Sequence, residues 1–69
     1  MDLIKIGKYI AEKRKALGLT QKQLAEKLNM SDKSVSKWER GICLPDVSIY
    51  MELCSILRIS INEFLAGED

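Results

Sequence analysis

Residues Thr20–Gly41 read TQKQLAEKLNMSDKSVSKWERG, and these twenty-two positions decide the fold. Leu19-Thr20-x-x-Gln23-Leu24 is a capping box with its hydrophobic staple. The Thr20 hydroxyl can take the N–H of Gln23, Gln23 can reach back to Thr20, and Leu19 can pack on Leu24. Met30-Ser31-x-x-Ser34-Val35 repeats the cap and the staple, with Ser in place of the returning Glu or Gln. Between the two, Asn29 stands where the chain must turn sharply, and Asn tolerates left-handed backbone angles better than most residues other than Gly. Leu24, Ala25 and Leu28 share the inward face of the first helix, and the small Ala25 lets the next helix cross closely. Val35 and Trp38, three apart, point inward from the second.

The opposite side of that second helix carries chemistry. Asp32, Lys33, Ser36, Lys37 and Arg40 follow the i, i+1, i+4, i+5, i+8 pattern of one helical face. They are long or hydrogen-bonding, and they begin at the helix N-terminus, where helix-turn-helix proteins contact base edges in the major groove. Lys33 and Lys37 can donate to guanine O6 and N7, Asp32 can accept from cytosine N4, and Ser36 can serve either kind of edge. The plain alternative is a solvated face, with Asp32 placed to favour the helix dipole.

Working outward, the same punctuation recurs. Ile59-Ser60-x-x-Glu63-Phe64 is a second full capping box, and Pro45-Asp46 opens another helix with Asp as its cap. Gly18, Gly41 and Gly67 stand where helices stop. The pattern predicts an all-α, five-helix single domain over 1–69, with helices near 3–17, 20–28, 31–40, 46–57 and 60–66 and no sheet. The first helix puts Leu3, Ile6, Ile10, Lys13, Arg14 and Leu17 on one side. Arg14 sits at the edge of that stripe, where a buried partner and a snorkelling stem are equally natural. Ile49, Leu53, Cys54, Ile56 and Leu57 face inward from the fourth helix, and Ile61, Phe64 and Leu65 from the fifth.

Composition narrows the function. A chain of 69 residues buries roughly 60% of its unfolded surface, and its 46% apolar content is too high for a disordered tail. The net charge of +1 hides a division. Residues 1–41 hold ten basic groups against five acids, and residues 42–69 hold only Arg58 against five acids. One end is thus suited to a polyanion, although a solvated surface helix also gives such a patch. With no His and only Cys43 and Cys54, there are too few ligands for a zinc site, no disulfide framework, no base beside either thiol and no Gly-rich phosphate loop. No metal, cofactor, small-molecule ligand or enzymatic activity is expected. The start MDLIKIG lacks a signal-peptide pattern, no apolar run is long enough to span a membrane, and the thiols read as reduced cytosolic cysteines. Cys43 is expected near the surface and Cys54 in packing.

QKQLAEKLNMSDKSVSKWERG closely resembles the helix-turn-helix of the lambda-repressor-like family, the phage repressor and Cro group of XRE-type regulators. The likeness extends to Arg14, LTQKQLA, Pro45 and the ISINEFL segment; Asn29, where the family usually has Gly, departs from it. The resemblance implies a DNA-binding transcriptional regulator, a repressor, that is cytoplasmic, bacterial or phage-encoded and bound to the nucleoid. Asp32, Lys33, Ser36 and Lys37 match its base-facing positions. Gln21 and Arg40 match its phosphate-gripping ones, and the free amides at a helix N-terminus suit the first of these roles. Arg14 and Glu39 match an internal ion pair, with a further phosphate contact as the other role open to Arg14. Binding double-stranded operator DNA as a homodimer is implied too, with half-sites about 34–36 Å apart. The pairing surfaces would be the Ile42-Cys43-Leu44 loop and helix 60–66 with its flanks, chiefly Ile59, Ile61, Asn62 and Leu65, most of which would also serve as plain core. The rival reading is an antitoxin or anti-repressor that keeps the fold and binds a protein. The ending GED, with no effector domain before it, also fits the DNA-binding part of a longer polypeptide.

Overall fold

Short polar side chains set where the helices begin. The computed structural model describes residues 1–69, and in it α1 spans Leu3–Ala16, α2 Gln21–Lys27, α3 Asp32–Glu39, α4 Tyr50–Leu57 and α5 Ile61–Ala66, with no strand. Thr20 and Ser60 each close a full capping box, and Ser31 caps α3 through the N–H of Ser34. Asp2, which sequence reasoning passed over, caps α1 by accepting from the N–H of Lys5 at 3.0 Å. The fourth helix differs from its expected start at 46. Asp46 caps a 3₁₀ turn, Val47–Ile49, through Ser48, and the regular helix follows only at Tyr50. An Asp side chain that takes the N–H two residues on favours this tighter turn over a full helical one. The bonds from Ser48 also hold the Asp46 carboxyl below its usual value.

The helices end by one device repeated five times. A residue with φ of 60–73° follows each helix: Gly18, Asn29, Gly41, Arg58 and Gly67. Beside each, an N–H reaches back five residues, from Leu19 to the carbonyl of Arg14, Met30 to Ala25, Ile42 to Lys37, Ile59 to Cys54 and Glu68 to Glu63, at 2.9–3.2 Å. These bonds satisfy carbonyls that a helix end otherwise leaves bare. Arg58 is the unexpected member, since a left-handed non-glycine costs roughly 1–2 kcal/mol and gives no sequence signal.

One core joins all five helices: Ile6, Ile10, Leu24, Ala25, Leu28, Val35, Trp38, Leu53, Cys54, Leu57 and Phe64. Tyr50 meets Phe64 edge to face at 4.9 Å, which ties α4 to α5. Burial pushes the Cys54 thiol up, whereas Cys43 is exposed. Leu3 and Leu65, expected inward, are each 37% exposed. Tyr9 takes a place on the inner side of α1 and is buried instead of Leu3. Its hydroxyl donates to Asp69 at 2.8 Å, and Lys13 pairs with the same carboxylate at 2.7 Å. Burial and the Asp69 bond raise the Tyr9 phenol, while Lys13 and Tyr9 lower the Asp69 carboxyl.

Gly7 fixes the crossing of α1 over α3. A Cβ there would collide with the Trp38 carbonyl oxygen and lie 2.9 Å from that of Glu39. Mid-helix Gly costs about 1 kcal/mol relative to Ala, so its presence here marks a close approach of two backbones rather than a break. No helix is long and apolar enough to cross a membrane.

Candidate nucleic-acid interface

With Val35 and Trp38 buried at 0% and 3% exposure, α3 has one orientation on the core. Its other side is then fixed. Asp32, Lys33, Ser36, Lys37 and Arg40 line a shallow groove of about 320 Å³, and Gln21, the first residue of α2, closes it. No apolar side chain lines this groove. Two segments eleven residues apart in the chain, the start of α2 and the outer face of α3, therefore form one surface.

The groove is electrostatically open. Lys33, Lys37 and Arg40 face it against the single carboxylate of Asp32. The ion pairs of the molecule are Lys5–Glu68, Lys13–Asp69 and Arg14–Glu39, so none of the groove cations is neutralised by a carboxylate of its own chain. Such a surface gathers anions, and its cations have no internal carboxylate to give up on binding. Arg40 is nonetheless restrained: its Nε donates to the Ser36 hydroxyl at 3.1 Å and to the Ser36 carbonyl at 3.3 Å. The i, i+4 spacing of the two residues allowed this contact, but their assignment to different roles had hidden it.

Behind the groove, Arg14 and Glu39 meet. Arg14 Nε donates to Glu39 Oε2 at 2.6 Å and Nη2 to Oε1 at 2.9 Å, a two-pronged pair whose side chains are 9% and 7% exposed. Arg14 Nη1 donates to the Leu19 carbonyl at 2.7 Å. Gln21 Nε2 donates to Glu39 Oε1 at 2.9 Å, a contact between residues 18 apart for which the sequence holds no local signal. No buried polar side-chain atom in the protein lacks a partner. A closed network of this kind holds the start of α2, the end of α3 and α1 in a single arrangement.

A family model described as helix-turn-helix matches residues 10–64. The chain belongs to the lambda-repressor-like helix-turn-helix family. The transcriptional regulator ImmR of Bacillus subtilis is 36% identical over 64 residues, covering 93% of this chain and 50% of ImmR. The cryptic phage CTXphi transcriptional repressor RstR of Vibrio cholerae is 37% identical over 60 residues, 87% of this chain and 54% of RstR. The chain thus spans about half the length of these curated helix-turn-helix relatives. Among solved structures, the restriction-modification controller protein C.AhdI of Aeromonas hydrophila is 32% identical and superposes with a TM-score of 0.81 over 91% of this chain and 96% of its own. This helix-turn-helix family consists of transcriptional regulators and not of enzymes.

The loop and helix expected to pair two copies are mixed in character. Ile42 is 56% exposed, and Cys43, Asn62 and Leu65 are exposed as well. Leu44, Ile59 and Ile61 pack against the core, the plain role weighed for them. Val47 and Met51, 72% and 75% exposed, add apolar surface that sequence reasoning had assigned to no site.

Proposed function

We propose that the chain is a sequence-specific DNA-binding regulator, acting as a repressor, that lays α3 in the major groove of double-stranded operator DNA. The observation that carries this reading is the groove itself: six side chains, all polar or charged, set along the outer face of α3 from Asp32 to Arg40 and at the start of α2, with three cations unpaired by any carboxylate. In this reading Lys33 and Lys37 donate to guanine edges, Asp32 accepts from cytosine, and Ser36 bonds a base edge with the proton its hydroxyl retains. Gln21 and Arg40, at the two margins, grip phosphates and fix the register. A groove without an apolar side chain favours DNA over the protein partner of an antitoxin or anti-repressor, whose docking surface would carry aromatic or aliphatic anchors.

Two copies are needed for a useful operator. Each good bidentate contact supplies about 1–3 kcal/mol of discrimination, and one α3 offers few of them. A two-fold dimer doubles the set and places half-sites about 34–36 Å apart. Its contact surface in this proposal is the exposed apolar side chains of the acidic stretch 42–69, Ile42, Val47, Met51 and Leu65.

Binding titrations over a range of salt test the assignment. Lys33→Ala and Lys37→Ala should lose preference at definite base pairs, whereas Gln21→Ala and Arg40→Ala should weaken every duplex alike, with the Arg40 change also lowering the salt slope by about one. Equal losses on all duplexes from all four variants would leave a general polyanion binder with no readout.

A further inference from the structure

Glu39 is the one groove-side carboxylate that contributes no wall to the groove, yet it accepts from both Arg14 and Gln21 through a single oxygen, Oε1. A carboxylate only accepts, so the group of the Gln21 amide that faces it must be the nitrogen. That requirement sets the orientation of the amide. One of its two N–H groups is spent on Glu39, and the other remains for a ligand in the groove that Gln21 closes. The same ion pair holds the residue before the cap of α2, since Arg14 Nη1 binds the Leu19 carbonyl. Leu19 to Gln21, the approach to the groove, is thus held from both ends of one buried pair.

Charge governs whether such an arrangement suits an anion. A bare carboxylate behind Gln21 would repel a phosphate, but Arg14 forks over both oxygens and cancels the charge at 2.6 and 2.9 Å. What remains is a strong, charge-assisted anchor for the amide. A side chain whose rotamer is set before binding loses less freedom on binding than a mobile one.

We propose that Glu39, backed by Arg14, is a positioning residue: it presents the Gln21 amide to a DNA phosphate in a pre-set orientation and does not touch DNA. This rests on the DNA-reading function proposed above and adds to it a residue outside the contact surface. Its effect is confined to phosphate gripping, so it acts equally on all sequences.

A binding cycle with Gln21→Ala, Glu39→Gln and the double variant tests this, using the duplex selected by the unaltered protein and a scrambled duplex at one salt concentration. Glu39→Gln should weaken binding about fivefold or more on both duplexes when Gln21 is present, and less than about twofold when residue 21 is Ala. A residue that merely stabilised the fold would give losses that multiply, and that result would overturn the proposal. Because Glu39→Gln leaves Arg14 without its counter-charge and can unfold the chain, a second measurement uses the unaltered protein. Side-chain amide relaxation of Gln21 without DNA should approach rigid backbone, an order parameter of about 0.85, and a value below about 0.6 would overturn it. If the unaltered protein bound no duplex, the DNA reading would fail and this proposal with it; multiplying losses with normal binding would remove this proposal alone.

Discussion

The two halves of the chain solve opposite problems with their exposed side chains. Residues 1–41 place three unpaired cations around a polar groove, backed by a dry ion pair. Residues 42–69 carry a net negative charge and expose Ile42, Val47, Met51 and Leu65, whereas the large apolar side chains exposed in residues 1–41, Met1, Leu3 and Ile4, do not line the groove. In the proposed function the first half meets its ligand with solvent-facing donors backed by a buried ion pair, as register on a polyanion demands. The second exposes its apolar side chains among acidic ones, a mixture that suits burial against another protein surface and repels DNA. The helix-turn-helix alone is therefore an incomplete device: its donors need a core behind them and, in the proposed dimer, a second copy beside them.

The largest expected effect lies behind the groove. Glu39→Ala strands the Arg14 charge in a nearly dry site, and removing one partner of such a pair costs about 3–5 kcal/mol. A thermal melt should show the loss as a large fall in Tm, while a fall of only a degree or two would mean that the first half does not depend on this pair. Next comes the other half. Ile42→Lys should leave the melt of the isolated domain nearly unchanged but lose on the order of 10²-fold avidity on a two-fold duplex, with single half-site affinity intact. Equal affinity on the two-fold duplex would separate the apolar face from pairing.

Smaller effects sharpen the comparison within the backbone. Gly7→Ala gains helix propensity of about 1 kcal/mol but forces α1 off the carbonyls of Trp38 and Glu39. Overpacking of about 1–3 kcal/mol should win, giving a net loss in denaturant unfolding. At the two left-handed non-glycines the sign reverses: Arg58→Gly should stabilise by about 1 kcal/mol and Asn29→Gly by less, because Asn tolerates these angles. Destabilisation by either would show that the native side chain contributes more than its backbone strain costs.

The smallest effect is a pH dependence where the two ends of the chain meet. The Asp69 carboxyl is lowered from 3.8 by Lys13 and then Tyr9, so its contribution is present above the ordinary carboxylate value and is lost as pH falls through the lowered one. Tyr9, raised by burial and Asp69, keeps its contribution up to the ordinary phenol value and loses it only in stronger alkali. Asp69→Asn should therefore flatten the acid limb of a Tm-against-pH curve, and an unchanged limb would assign acid loss to other carboxylates.

Local signals made most of this legible. Capping boxes at Thr20 and Ser60, the cap at Ser31, and the glycines at 18, 41 and 67 act within one turn of chain, so their spacing in sequence is their spacing in space. The α3 members of the groove could be named because that helix has an unmistakable inner side, Val35 and Trp38, whereas Gln21 on α2 was assigned through the family resemblance. What escaped depended on other elements: Gly7 on the carbonyls of α3, Gln21 on Glu39, and Tyr9 on Asp69 sixty residues away. The 3₁₀ start of the fourth helix escaped for a different reason, since Asp46 can cap either kind of turn, and the N–H it takes is that of Ser48, two residues on.

Selection of duplexes from a random pool, at stated salt, by the unaltered protein and by Lys33→Ala in parallel tests the central claim most directly. The expected result is a two-fold symmetric consensus with half-site centres one helical turn apart, and a matched pair of positions that becomes degenerate with Lys33→Ala. Enrichment of no sequence, or a consensus that the Lys33 change leaves intact, would contradict it.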